Sequence, residues 1–388
     1  MKRAGIAVIG VGTVGSMAFW QLARRGADVV GFEQFAPGHG RGAAGGDTRL
    51  FRVASEGPAY VPMTRQAYGE WRRLEEDSGR PLLNLCGGLY SGPAESPFMS
   101  KVMGNADRYD LRHEKLSFLD MKRRYPQLAV NDDDIGLLDL EAGFTLAEVA
   151  VAVAAETAVK HGGELVTQTK IRAIVPEDDG VRVTTDDDEW KFDKVVVATG
   201  AWLNELLPER IPHVDVQRLS VHWYPLRDAA AFVPERFPII EIQGEEFLFA
   251  AWPTIDNATI KVGFAASIDH LPSAQFMSTT LSDEVLAITD DYVRRYLPGA
   301  IPVAIRHAVC MDGFTADRDF LLGPLPSDER LIALTGMSGH GFKMAPALGL
   351  AASQWALDGG TELDYRGFDP ERFPASRMLS SRRTPAPA

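Results

Sequence analysis

Residues 4–33 read AGIAVIGVGTVGSMAFWQLARRGADVVGFE. The apolar run Ile6 to Ile9 predicts a buried strand, and Gly10-Val11-Gly12-Thr13-Val14-Gly15 predicts a tight turn that opens a helix running to about Arg25. Gly10 permits the turn, Gly12 lets the backbone approach a pyrophosphate without a Cβ in the way, and Gly15 lets the helix pack closely on the strand. Free N–H groups around Val14 and the positive end of the helix dipole then face an anion. A chain with 36 glycines produces this spacing by chance, so the context decides. Gly26 is placed to stop the helix, and a second strand, Asp28 to Phe32, ends in Glu33, where a carboxylate accepts hydrogen bonds from an adenosine ribose. The stretch predicts a βαβ dinucleotide-binding unit.

The 388 residues have room for two domains, and 45% hydrophobic with 24% charged residues is an ordinary globular composition. A net charge of −13 disfavours nucleic acid as a partner but leaves room for a locally basic pocket. Two cysteines, Cys86 and Cys310, exclude a disulfide framework and suit a reducing compartment. The first strand starts within a few residues of Met1, and no apolar run approaches the ~18 residues of a membrane span, so the expected location is cytoplasmic, with no membrane partner. Asp132-Asp133-Asp134 lacks metal-ligand spacing and reads as a solvated turn; no metal is expected. The tail SSRRTPAPA, 380–388, is expected to fray.

After Glu33 comes a glycine-rich loop, 37–46, suited to close approach to something flat or charged. Arg49 and Arg52 follow and would share a face if their segment were helical. Residues 60–78 read as a surface helix, 82–91 as strand, and 146–161 as a helix ended by Gly162-Gly163. Strand signals at 164–168, 170–175, 181–185 and 189–198 lead to Ala198-Thr199-Gly200, where Gly200 again permits close backbone approach. From 217 to 263 the pattern is strand-like, with Trp223, Phe247, Phe249 and Trp252 interleaved among polar residues, as in a sheet with one face over a cavity. Lys261 alternates with apolar neighbours there. A helix at 281–297, strand material at 305–311 and 320–324, and a strand at 331–335 precede Gly336-Met337-Ser338-Gly339-His340-Gly341-Phe342-Lys343, a second glycine turn opening a helix. The fold class is therefore α/β: a discontinuous Rossmann-like nucleotide-binding domain (1–80, 140–216 and 305–388) plus an α+β substrate domain (81–139 and 217–304) with a largely antiparallel sheet.

VIGVGTVG, GDTRLFR followed by EGPAYVP, VVVATGAW, IKVGF, HAVCMD and SGHGFK together resemble the monomeric sarcosine oxidase family, which includes N-methyltryptophan oxidase and pipecolate oxidase, within the D-amino-acid-oxidase-like flavoproteins. The resemblance spans nearly the whole chain. It implies FAD, with its pyrophosphate at Gly10, Gly12, Val14 and Gly15, its ribose at Glu33, and further contacts from Thr48, Gly200, Gly339, His340, Gly341 and Lys343. It implies covalent attachment of the flavin through Cys310. Arg52 and Lys343 would hold a substrate carboxylate, Lys261 would serve oxygen activation as a catalytic cation, and Arg49 would set the charge beside the flavin. The chain departs from sarcosine-specific members at Ala44-Gly45, Ala250, Ala265 and Asp312, where histidines, an aromatic hydroxyl and a tyrosine stand in the family. Smaller residues, and an acid at Asp312, imply a pocket for a substrate bulkier than sarcosine.

The resulting expectation is an FAD-dependent oxidase of a secondary amine bearing an α-carboxylate, giving an imine that water hydrolyses and hydrogen peroxide. Its partners would be an amino-acid-like small molecule and O2, with the chain a monomer or simple homo-oligomer. Three alternatives remain at this point: a fructosyl (Amadori) amino acid oxidase of the same family, an amine dehydrogenase using another acceptor, and a non-catalytic flavin-binding subunit.

Overall fold

The computed structural model describes residues 1–207 and 211–373; the tail expected to fray lies outside the described residues. Lys2–Ile9 is the central strand of an eight-stranded sheet, parallel to Val29–Phe32 on one side and to Glu189–Val197 on the other. Glu164–Val166 extends it in parallel beyond Val29–Phe32. Glu189–Val197 forks. Its first half pairs antiparallel with Gly180–Thr184, while Val195 to Val197 run parallel to Asp328–Thr335 from the far end of the chain. Alternate residues of the central strand serve opposite faces, as a period of two requires. Ile6 and Val8 pack with Met17, Phe19, Val151 and Leu348 of the helices Gly15–Arg24, Ala147–Lys160 and Gly341–Asp358, and Ala7 and Ile9 pack with Phe192, Val195 and Leu203.

A nine-stranded sheet forms the second layer, in the order Asp269–Leu271, Asp215–Pro225, Thr259–Phe264, Leu248–Trp252, Ile239–Gln243, Gly88–Pro93, Asp134–Asp139 and His113–Leu116, with Arg306–Phe314 also paired to Asp215–Pro225. Its pairs are antiparallel except Ile239–Gln243 with Gly88–Pro93. Thr48–Phe51, Gly143–Leu146 and Leu83–Asn84 make a small third sheet.

Three expectations change. Arg49 and Arg52 are not on a helix: Thr48–Phe51 is a strand, and the chain bends after it, where Asp139 accepts from the N–H groups of Val53 (3.1 Å) and Ala54 (2.9 Å). The boundary at 305 falls too early, because all nine residues of Arg306–Phe314 pair with Asp215 to Trp223 in the antiparallel sheet. A strand's own sequence does not reveal which sheet edge receives it. Asp134 is not solvated but buried, opening a strand and accepting from Asn131 N at 2.9 Å.

Candidate active site

The fingerprint glycines divide by role. A Cβ on Gly10 (φ +89°) would lie 2.6 Å from Ala198 O, and one on Gly15 would lie 1.8 Å from Gly10 O, so both serve the chain's own packing. A Cβ on Gly12 would meet nothing within 4 Å. Its bare face borders a cavity of about 280 Å³ that is also lined by Gly10, Thr13, Val14, Glu33 and Gly200. The helix beginning there has no side-chain cap and no acidic residue in its first turn, which leaves its positive end for an anion. Glu33 is buried, with Oε2 accepting from Val11 N and Oε1 from Phe35 N, both at 3.0 Å. Burial raises its pKa, and those backbone donors oppose the shift. A bare glycine face, an uncapped helix N-terminus and an oriented buried carboxylate on one cavity fit a dinucleotide such as FAD.

A second cavity, about 510 Å³, shares Thr13, Ala43, Asp312 and Met337 with the first, so the two are contiguous. Its floor is the antiparallel sheet. Strand register places Tyr90, Glu241, Ala250, Gly263 and Val221 in one cross-strand row, of which the last four line the cavity. Arg52 Nη1 lies 3.0 Å from Glu241 Oε2, both deeply buried, yet the pair is not aligned for a hydrogen bond and each atom lacks one. Lys343, on the first turn of Gly341–Asp358, donates to His340 O at 3.1 Å and stands 5.3 Å from the Tyr60 ring centroid. Burial first, then the Arg52 charge, lower its pKa to about 7 against the pull of Glu241. Burial and the neighbouring cations Lys343 and Arg52 push His340 down to about 2, so its ring is neutral at ordinary pH.

Asp312 lines both cavities, and Cys310 and Arg49 line the larger one. Arg49 donates to the carbonyls of Ala43, Gly45 and Thr48, and its Nη2 lies 3.7 Å from Cys310 Sγ. Burial pushes the Cys310 thiol up, and Arg49 is the main force opposing it. Asp312 Oδ2 accepts from Gly339 N and Oδ1 from Gly313 N, both at 2.8 Å, so this carboxylate anchors the second glycine turn. Burial raises its pKa to about 6. Lys261 Nζ donates to Thr48 O (2.5 Å) and Thr48 Oγ1 (3.0 Å) and sits 4.0 Å from the centroid of the Trp252 ring. Burial, and then Arg49, hold its pKa well below the usual lysine value.

The larger cavity thus gathers Arg49, Arg52, Ala250, Ala265, Cys310, Asp312, Gly339, His340, Gly341 and Lys343. The smaller one takes Gly10, Gly12, Val14, Glu33 and Gly200. Gly15, Thr48 and Lys261 line neither and stand behind the walls. Sequence reading missed Glu241, Glu56 and His39. Glu241 carries the signal that marked Lys261, a lone charge in an apolar strand, Ile239-Ile240-Glu241-Ile242. Among the described residues no cluster of three or more His, Cys, Asp or Glu could hold a metal, and no helix is long and apolar enough to cross a membrane.

Residues 5–355 match the family described as FAD dependent oxidoreductase (DAO). The chain is 31% identical over 377 residues to a monomeric sarcosine oxidase of Streptomyces avermitilis, spanning 96% of this chain and 98% of that protein. It is 30% identical over 375 residues to an N-methyl-L-tryptophan oxidase of Yersinia pestis, spanning 94% and 98%. NikD, an unusual amino acid oxidase essential for nikkomycin biosynthesis, shares the fold in its open form, with a TM-score of 0.85 at 23% identity over 95% of this chain and 98% of that one.

Proposed function

We propose that this chain, which belongs to the FAD dependent oxidoreductase (DAO) family, oxidises a secondary amine bearing an α-carboxylate, an N-substituted amino acid bulkier than sarcosine. The observation that carries this reading is the placement of two buried cations, Arg52 and Lys343, on the wall of the cavity that opens into the dinucleotide cavity. A planar guanidinium grips a carboxylate at two points, and an ammonium adds charge.

FAD, when bound, supplies the two-electron redox chemistry. Gly10, Gly12, Val14 and Glu33 would hold its adenosine diphosphate half, and the buried Cys310 thiol would be its covalent anchor. Arg52 and Lys343 orient the substrate carboxylate. The amine would lose two protons and two electrons to become an imine, oxygen would take up both pairs to give hydrogen peroxide, and water would cleave the imine to a carbonyl compound and a smaller amine. Lys261, held by Thr48 behind the cavity wall, would in its protonated form direct positive charge toward oxygen as it gains electrons. Ala250, Gly263 and Ala265 leave the floor of the cavity open for the substituent. Anaerobic bleaching of the flavin across a panel of N-alkyl, cyclic and sugar-conjugated amino acids, with peroxide measured in air, tests the reading. A protein that no amine bleaches is not this oxidase.

A further inference from the structure

Glu241 is a carboxylate in the wall where the carboxylate-binding reading calls for cations. It is 2% exposed, lines the larger cavity, and has the Arg52 guanidinium as its ion partner, with no hydrogen bond to Oε2. Burying an acid beside a cation meant for a ligand has a cost: Arg52 is already neutralised before any substrate arrives. An uncharged residue of similar size would have left Arg52 wholly to the ligand. Glu241 balances the Arg52 charge, yet its Oε2 receives no hydrogen bond and the side chain borders the cavity, so it still has an acceptor to offer a ligand.

The register says what part of a ligand it meets. Glu241 is the direct cross-strand partner of Ala250, and Ala250 of Gly263. Side chains of directly opposed residues on one face start roughly 4.5–5.5 Å apart at Cβ. The space that the short side chains at these two positions leave open is thus bordered by the Glu241 carboxylate on one side, and Glu56 adds a second acid to the same cavity. A substituent extending over Ala250 finds an acceptor without a donor. A purely apolar substituent there would leave the Glu241 oxygen desolvated and without a hydrogen-bond donor, and one bearing a second carboxylate would be repelled.

We infer that Glu241 is a specificity-determining residue, which accepts hydrogen bonds from a donor-bearing substituent, hydroxyl or ammonium, that lies over Ala250 while Arg52 and Lys343 hold the α-carboxylate. The inference rests on the reading of the larger cavity as the substrate cavity. It selects polyol-like or basic N-substituted amino acids over aliphatic and acidic ones of equal size. No bond changes at Glu241; it binds and orients.

The test uses the purified flavin-loaded protein and ligands that cannot be oxidised: short straight-chain carboxylates, each unsubstituted, ω-hydroxylated or ω-aminated, titrated by perturbation of the flavin absorption spectrum. The expected result is binding about tenfold or more tighter for an ω-hydroxy or ω-amino acid than for its unsubstituted match, with that ratio lost in Glu241→Gln. The two substituted arms tell hydroxyl from ammonium recognition. Ala250→Leu, which fills the space and keeps the acid, is expected to lose the same ratio and guards against a Glu241→Gln protein that fails to fold. Equal binding of all three ligand types by the unmodified protein overturns the inference, as does a preference that survives Glu241→Gln. Amines that bleach the flavin normally in that case leave the oxidase reading standing, whereas a spectrum that no carboxylate perturbs, with no amine bleaching it, overturns both.

Discussion

Arg49 Nη2 lies 3.7 Å from Cys310 Sγ, while the same guanidinium is pinned by the carbonyls of its own loop at Ala43 and Thr48. A cation fixed in this way cannot swing to solvent, so it acts steadily on the thiol. Acid precipitation of the purified protein is expected to leave the yellow colour in the pellet, and Cys310→Ala to release FAD into the supernatant. Arg49→Met should leave a larger releasable fraction than the unmodified protein, because burial alone then governs the thiol. Complete release from unmodified protein would sink the covalent assignment.

Lys261 stands behind Trp252, hydrogen-bonded to Thr48. In the proposed reaction charge builds on oxygen only in the oxidative half, so a protonated Lys261 would act on that half. Lys261→Met is expected to slow reoxidation by oxygen about 100-fold or more while substrate reduction changes far less. Stopped-flow measurement of the two halves separates them; equal slowing of both would point to a disturbed site and not to a role toward oxygen.

Gly12 and Gly15 give opposite outcomes on substitution by alanine. At Gly15 the new methyl would lie 1.8 Å from Gly10 O, so Gly15→Ala is expected to lower stability by about 1–3 kcal/mol or more, as overpacking does. At Gly12 it would meet open cavity. Gly12→Ala should keep the melting temperature of the flavin-free protein and lose most of its bound FAD. Thermal melts beside flavin-to-protein absorbance ratios check both, and a Gly12→Ala protein with full flavin would refute the assignment of that face.

Lys343 titrates near pH 7 in a pocket facing Arg52, Glu241 and His340. Its ammonium attracts a ligand carboxylate, and the bound carboxylate raises its pKa in turn. Carboxylate affinity is therefore expected to be greatest below about pH 7 and to fall by up to about tenfold per pH unit above it. Lys343→Met should bind more weakly at low pH and show a flat profile across this window. The same shift affects ligand-free stability with the other sign. Between about pH 7 and the ordinary lysine value of 10.5, the unfolded chain holds a proton that the folded one lacks, so the Lys343 contribution to stability rises with pH.

Ala250 and Ala265 both face the larger cavity. Sarcosine would leave the space above them to water and lose the fit on which near-attack geometry depends. Its kcat/KM is expected to be at least roughly tenfold below that of some larger α-carboxylated secondary amine, a gap of ~1.4 kcal/mol. Steady-state kinetics over the amine panel decide this, and sarcosine ranking first would mean that another group refills the space.

Much of the candidate site was legible because its motifs are local. Gly10, Gly12 and Gly15 encode a turn by steric allowance within six residues, the apolar run before them encodes a buried strand, and the strand after them ends at Glu33; the structure has each of these in place. The alternation around Lys261 announced a charge set among apolar neighbours, and the glycine turn before Lys343 announced a helix start. Each of these signals lives in backbone conformation and period, which neighbouring residues settle among themselves.

What the sequence by itself determined, then, was the nucleotide-binding unit, the α/β class and those wall residues that sit in local motifs. Tertiary structure alone decided their partners. Lys261 meets Thr48 across 213 residues of chain, Arg306–Phe314 joins the antiparallel sheet, and Glu241 comes to face Arg52 and Ala250. Such pairings depend on which strand lies beside which and in what register. A one-residue slip in any of those strands would turn Glu241 or Lys261 to the opposite face; each strand's burial pattern holds its own register, but the choice of partner strand is not written in it. That choice follows from the packing of the two sheets around the shared cavity.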